Sequence, residues 1–176
     1  MTRSIFVDLP GPMYGEVIAH LLRDDSDLEQ AAFGFAERVT EGETLVFRIV
    51  EWMPVSPEGF EVQLAYHLEL TDAMKASVIK RAHDLGATLI EFHCHTGRWP
   101  AAFSLSDRVG FREFVPHVLW RLKGRPYVAV VVARSGRDGL AWIEKMETPE
   151  RIVALRAGGV VHRCTGLTPL SMDIEL

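Results

Sequence analysis

Cysteine is scarce in this chain: two residues of 176, Cys94 and Cys164. Two cannot build a disulfide framework, and neither belongs to a Cys-x-x-Cys pair. A reducing compartment is therefore expected. Basic residues are also in short supply. Lys plus Arg number 19 against 24 Asp plus Glu, a formal net charge of -5. Proteins that neutralise nucleic-acid phosphates carry the opposite surplus, so nucleic acid is not an expected partner. Arg121, Lys123 and Arg125 form one small basic group and read as a solvated helix end, where the helix dipole favours cations. The longest aliphatic run, VAVVVA at residues 128–133, falls far short of the about 20 apolar residues of a membrane span. The opening residues MTRSIFVD lack the apolar stretch and cleavage site of a signal peptide. The expectation is a cytoplasmic protein without membrane or nucleic-acid partners. Repeats, low-complexity tracts and an obvious linker are absent too.

What the chain has is apolar content, 48% of residues, enough for a sizeable core in one domain spanning 1–176. Residues 3–9 alternate like a short strand. Residues 15–23 show helical spacing through Val17, Ile18, Leu21 and Leu22. Residues 31–39 and 44–52, joined by the turn at Thr40-Glu-Gly-Glu, suggest a hairpin. Residues 66–70 read as another short strand. The clearest helix covers 71–85, with Thr71 or Asp72 as cap, Met74, Val78, Ala82 and Leu85 on one face, and Gly86 at the left-handed end. Residues 87–92 read as a strand leading into His93. Residues 104–123 form a long helix that Pro116 should kink or split. Residues 126–134 read as a buried central strand paired with 140–145. Residues 149–155 read as a last helix, and 159–176 as an irregular tail. Trp52, Trp120 and Trp142 are expected in the core. Alternating strands and helices argue for a layered α/β domain.

One stretch carries chemistry: EFHCHTGRWPAAFSLSD at residues 91–107. On a strand, positions two apart share a face. His93 and His95 would project together as two nitrogen ligands for one metal ion. Ile90, Phe92 and Cys94 would then face the core, which makes Cys94 a packing residue rather than a ligand. Ser104-Leu-Ser-Asp107 has the spacing of a capping box, and such a cap fixes where Asp107 points. Asp107 completes a His-His-Asp set, and three protein ligands leave one position open, as in catalytic zinc sites. The remaining histidines, His20, His67, His83, His117 and His162, have no partner at ligand spacing.

His93-x-His95 followed by Ser104-x-x-Asp107 resembles the signature of the JAMM (JAB/MPN) zinc metalloproteases. Asp27-Leu-Glu29-Gln-Ala-Ala-Phe-Gly-Phe35 is similar to the upstream element of that family, a glutamate entering an apolar strand. The likeness covers roughly residues 14–146 and is to the compact bacterial members. Two departures stand out: Thr96 follows the second histidine where the family usually has proline, and eight residues separate His95 from Ser104 instead of seven. The resemblance implies the MPN fold, which is cytidine-deaminase-like, with a mixed β-sheet flanked by helices. It implies Zn²⁺ on His93, His95 and Asp107, with Glu29 as the proton-transferring base and Ser104 as an oxyanion donor. Glu16 is the rival for the upstream acid. Glu91 shares the histidines' face, as a partner for an imidazole N–H or as an ordinary exposed acid. Trp99 and Phe103 either line a peptide groove or anchor the loop. The implied substrate is a ubiquitin-like protein or its conjugates, cut after the C-terminal tail, with E1-like and E2-like proteins of a bacterial, antiphage conjugation system as associates. Processing of a sulfur-carrier protein would use the same apparatus. A metal-free MPN scaffold, or another metal-dependent hydrolase with mostly oxygen ligands, is the reading from a different class.

Overall fold

The computed structural model describes residues 2–173. Its strands are β1 (Ser4–Asp8), β2 (Ala31–Glu41), β3 (Thr44–Pro54), β4 (Phe60–Gln63), β5 (Leu68–Leu70), β6 (Thr88–Cys94), β7 (Tyr127–Ala133), β8 (Gly136–Trp142), β9 (Glu150–Arg151), β10 (Ala154–Ala157) and β11 (Val160–Arg163). Its helices are α1 (Met13–Leu21), α2 (Asp72–Leu85) and α3 (Leu105–Arg121). Nine strands form one mixed sheet in the order β11-β10-β1-β3-β2-β6-β7-β8-β9, and β4 and β5 make a separate hairpin. The α/β class expected from the sequence is the class observed. Among the described residues, no helix is long and apolar enough to cross a membrane.

Each face of the sheet has its own apolar core. Val7, Phe47, Phe92, Cys94, Val130 and Leu155 belong to one cluster, with Val17 and Leu21 of α1 packed into it. Phe33, Leu89, Val131 and Trp142 belong to the other, with Val78 of α2 and Phe111 and Val115 of α3. Strand β7 is buried at every position because both its faces are covered. Helix α2 is capped as its sequence suggests. The Thr71 side chain accepts the Met74 N–H, and Gly86 closes the helix in the left-handed region at φ 65°. Leu85 does not reach the core face; it is 39% exposed.

Several local expectations need correction. Helix α3 runs unbroken past Pro116, which does not split it. Proline removes the bond to the carbonyl of Arg112, and Arg112 is exposed, so water can take the missing place. Trp120 is 74% exposed rather than core. It sits two residues beyond buried Val118, a rotation of about 200° around the helix, which turns it away from the sheet. Arg125 is not simply solvated. Its guanidinium donates to the carbonyls of Ala82 (3.0 Å) and Ala87 (3.2 Å) and ties down the end of α2.

The largest difference lies after residue 148. Instead of a helix, residues 150–157 cross from one end of the sheet to the other. Glu150 and Arg151 pair with β8; the Ile152 N–H donates to Gly139 O and the Val153 N–H to Ile5 O; Ala154 onward pairs with β1. One segment thereby curls the sheet until its two ends meet. Gly139 permits the crossing, because a Cβ there would stand 2.9 Å from the Ile152 side chain and 3.4 Å from Ala129 O. Gly139→Val should lower stability by about 1–3 kcal/mol through overpacking, read as a lower urea midpoint with unchanged slope. The tail expected to be irregular from 159 contains β11, antiparallel to β10; residues 164–173 have neither helix nor strand, and 174–176 lie outside the described residues.

Candidate metal centre

Strand β6 pairs with β2 in antiparallel register, Ala31 opposite His93. Its parity separates two sets of side chains. Phe92 and Cys94 enter the core that α1 covers, while Leu89 enters the core under α2 and α3. Glu91, His93 and His95 share the parity of Leu89. The strand ends at Cys94, and the His95 N–H still donates to Val132 O, so the second histidine continues the same line.

Asp107 is placed by its helix. Ser104 caps α3, its hydroxyl oxygen accepting the Asp107 N–H at 3.1 Å, while Asp107 Oδ2 accepts the Ser104 N–H at 2.7 Å. The reciprocal box points the carboxylate back toward β6. There it stands 3.3 Å from His93 Nε2 through Oδ1 and 3.1 Å from His95 Nε2 through Oδ2. The two Nε2 atoms are themselves 3.3 Å apart. These three donors are close enough together to hold a metal ion.

Burial and neighbouring charges act against each other within the group. Burial favours the uncharged form of the His93 imidazole, but the Asp107 and Glu91 carboxylates outweigh it and hold its pKa well above the ordinary value. Burial likewise raises the Asp107 carboxyl, and the His93 and His95 imidazoles overcome that and hold it well below the usual carboxylate range. Behind His93, the Glu91 carboxylate lies 3.5 Å from Nδ1 and accepts the Tyr127 hydroxyl proton. Glu91 is thus a half-buried partner of the imidazole rather than an ordinary exposed acid, a placement that orients a ligating ring.

Glu29 is 4% exposed, with Oε1 4.0 Å from His95 Nε2. That is beyond hydrogen-bond range and beside the cluster. Its backbone is pinned on both sides: the N–H donates to Leu64 O, and the C=O accepts from the Gln63 side chain. Burial pushes its carboxyl pKa up, partly offset by the neighbouring imidazoles. Glu16 is elsewhere, on α1, where its carboxylate accepts the Trp52 indole N–H. Of the two rivals for the upstream acid, the structure brings only Glu29 to the histidines.

Of the two loop aromatics, Phe103 takes the anchoring role. Phe103 is buried, its ring 5.6 Å from that of His93 and edge-on to Phe111, so it anchors the loop. Trp99 is 83% exposed. Cys94 is a packing residue, its sulfur accepting the Gln30 N–H and its thiol pKa raised by burial.

Two features escaped the sequence. His67, set aside for want of a spaced partner, faces Ser106 Oγ at 3.2 Å and Glu69 at 2.9 Å. With His93 and Asp107 it lines a cavity of about 620 Å³ between β5, α2 and α3. The turn between β4 and β5 also grips the site: Leu64 O takes the Glu29 N–H, and Ala65 O takes the Thr96 hydroxyl proton at 2.7 Å. Apart from the local His67–Glu69 pair, these contacts join residues more than thirty apart, which no spacing rule reveals. The sequence matches no protein-family model, and no curated protein matches it.

Proposed function

We propose that this chain is a zinc-dependent peptidase or isopeptidase of the JAMM type, with an MPN arrangement of sheet and helices. In this reading it cleaves the bond that follows the C-terminal tail of a ubiquitin-like protein. The observation that carries the proposal is the convergence of His93, His95 and Asp107, with the buried carboxylate of Glu29 beside them. Two imidazoles and one carboxylate are a donor set that suits zinc. Tetrahedral bonds of about 2.0–2.1 Å place ligand atoms roughly 3.3–3.4 Å apart; the two Nε2 atoms here are 3.3 Å apart, and each lies within 3.3 Å of one Asp107 oxygen, Oδ1 for His93 and Oδ2 for His95. A mixed sheet with α1 on one face and α2 and α3 on the other supports the MPN layering.

Zinc, when bound, supplies a Lewis acid for the scissile carbonyl and lowers the pKa of a water molecule to about 7. The chain's own residues supply the rest. Glu29 takes the proton from the attacking water, whose oxygen bonds to the carbonyl carbon. It then delivers that proton to the departing amine as the C–N bond breaks. The Ser104 oxygen already accepts the Asp107 N–H, so the hydroxyl proton is free to donate to the carbonyl oxygen as charge develops there. The Glu91 carboxylate, 3.5 Å from His93 Nδ1, is the charge that favours this orientation of the ring. The cavity beside His93, with Leu68, Leu70 and Phe114 on its walls, has room for an extended segment of substrate.

The test is a fusion of a ubiquitin-like protein to a reporter, using candidates encoded beside this chain with E1-like and E2-like proteins. The zinc-loaded protein should cut just after the tail, and chelation should stop it. A protein that holds one zinc per chain yet cuts neither fusions nor isopeptide conjugates would overturn the substrate assignment. An octahedral, oxygen-rich metal site would point to a different hydrolase.

A further inference from the structure

We propose that residues 165–173 are a strap that holds the loop between the metal ligands, and that Thr168 is its positioning residue. The inference rests on the metal-centre reading above. The loop at 96–103 has no helix or strand of its own, yet it must deliver Ser104 and Asp107 to the histidines. Ordering eight such residues costs conformational entropy, and contacts from outside the loop must offset it.

Those contacts come from the tail. Thr168 and Asp138 are both fully buried. The Thr168 hydroxyl donates to Asp138 Oδ2 at 2.6 Å and accepts the Phe103 N–H at 2.9 Å. Asp138 also accepts the N–H groups of Thr168 (3.0 Å) and Gly166 (3.1 Å), so a buried carboxylate on β8 anchors the strap. The Thr165 hydroxyl donates to Ala101 O at 2.6 Å, a second point on the loop. Arg108, the residue after Asp107, donates to Ser171 O. Leu170 and Met172 pack against the core beneath α3. The chain of contact runs from Asp138 through Thr168 to the Phe103 N–H. The Phe103 ring lies against His93, and its backbone leads directly into the Ser104 cap.

A hydroxyl that both donates and accepts at one buried point cannot be replaced by a methyl without leaving the Phe103 N–H unpaired. Thr168→Val keeps the shape and removes the relay. In the metal-free protein it should expose the amides of 96–104 to faster hydrogen exchange while those of β6 and β7 stay protected. Zinc affinity, measured by competition with a chromophoric chelator, should fall by about tenfold, the lower end of what outer partners of metal ligands are worth. Thr168→Ser, which keeps the hydroxyl, should restore both. Wild-type exchange and affinity in Thr168→Val would overturn the proposal, as would failure of Thr168→Ser to rescue either. If Thr168→Val does not fold, Asp138→Asn decides: it keeps the shape but weakens the anchor, and unchanged loop exchange in it would overturn the strap. A wild-type chain that binds no zinc would sink the metal reading, while the exchange arm would still judge the strap.

Discussion

Glu29→Gln should reduce turnover by about 10²- to 10⁴-fold while leaving zinc content and thermal stability near wild type, the range expected when a general base is lost. The substitution keeps the side-chain shape at a position only 4% exposed, so packing should survive. It also leaves the coordination set alone, since Glu29 Oε1 stands 4.0 Å from His95 Nε2, outside the trio of donors. Turnover of the fusion substrate and zinc per chain would be measured on the same preparation. Wild-type turnover would remove Glu29 from the mechanism. Loss of zinc would make it a ligand instead. Glu16→Gln is the natural control: its carboxylate serves the Trp52 indole on α1, and full activity is expected.

Where the sequence was readable, the governing contacts were local. The parity of β6 follows from a two-residue period, which separates Cys94 from His93 and His95 without knowledge of the rest of the chain. The Ser104–Asp107 box is a four-residue motif that sets its own geometry. Glu29 is a different case. Its approach to His95 depends on β2 pairing with β6 in the register that sets Ala31 opposite His93, and spacing along the chain does not reveal that pairing; only the family likeness pointed to the residue.

The misread segments were those whose neighbours are distant. Ile152 and Leu155 are three apart, as on a helix face, but their surroundings are β8 and β1, which compete for the backbone from both ends of the sheet. Pairing with two strands at once satisfies more main-chain groups than one turn of helix can. Asp138 belongs to no motif in the sequence. Its role emerges only when Gly166 and Thr168 arrive to donate three hydrogen bonds to it. The functional likeness thus rests on short-range motifs, and what supports those motifs comes from parts of the chain that carry no motif.

His95→Ala should abolish stoichiometric zinc binding. His95 is the better ligand to remove, because its side chain is 23% exposed against 3% for His93, so the truncation leaves a smaller hole in the core. Wild-type protein with zinc at a hundred times its dissociation constant should gain about 2.7 kcal/mol of stability from ligation alone. The variant should gain almost nothing over the same titration, and a chelator should lower the melting temperature of wild type but not of the variant. Acid should act like the chelator on wild type. Both imidazoles must be neutral to ligate, and in the metal-free protein the Asp107 and Glu91 carboxylates favour the protonated form of His93, so zinc has to displace a tightly held proton. The zinc-dependent part of the stability should therefore shrink as pH falls, and it should shrink in wild type only. One zinc per chain retained by His95→Ala would remove His95 from the ligand set, and the peptidase proposal would lose its chemistry with it.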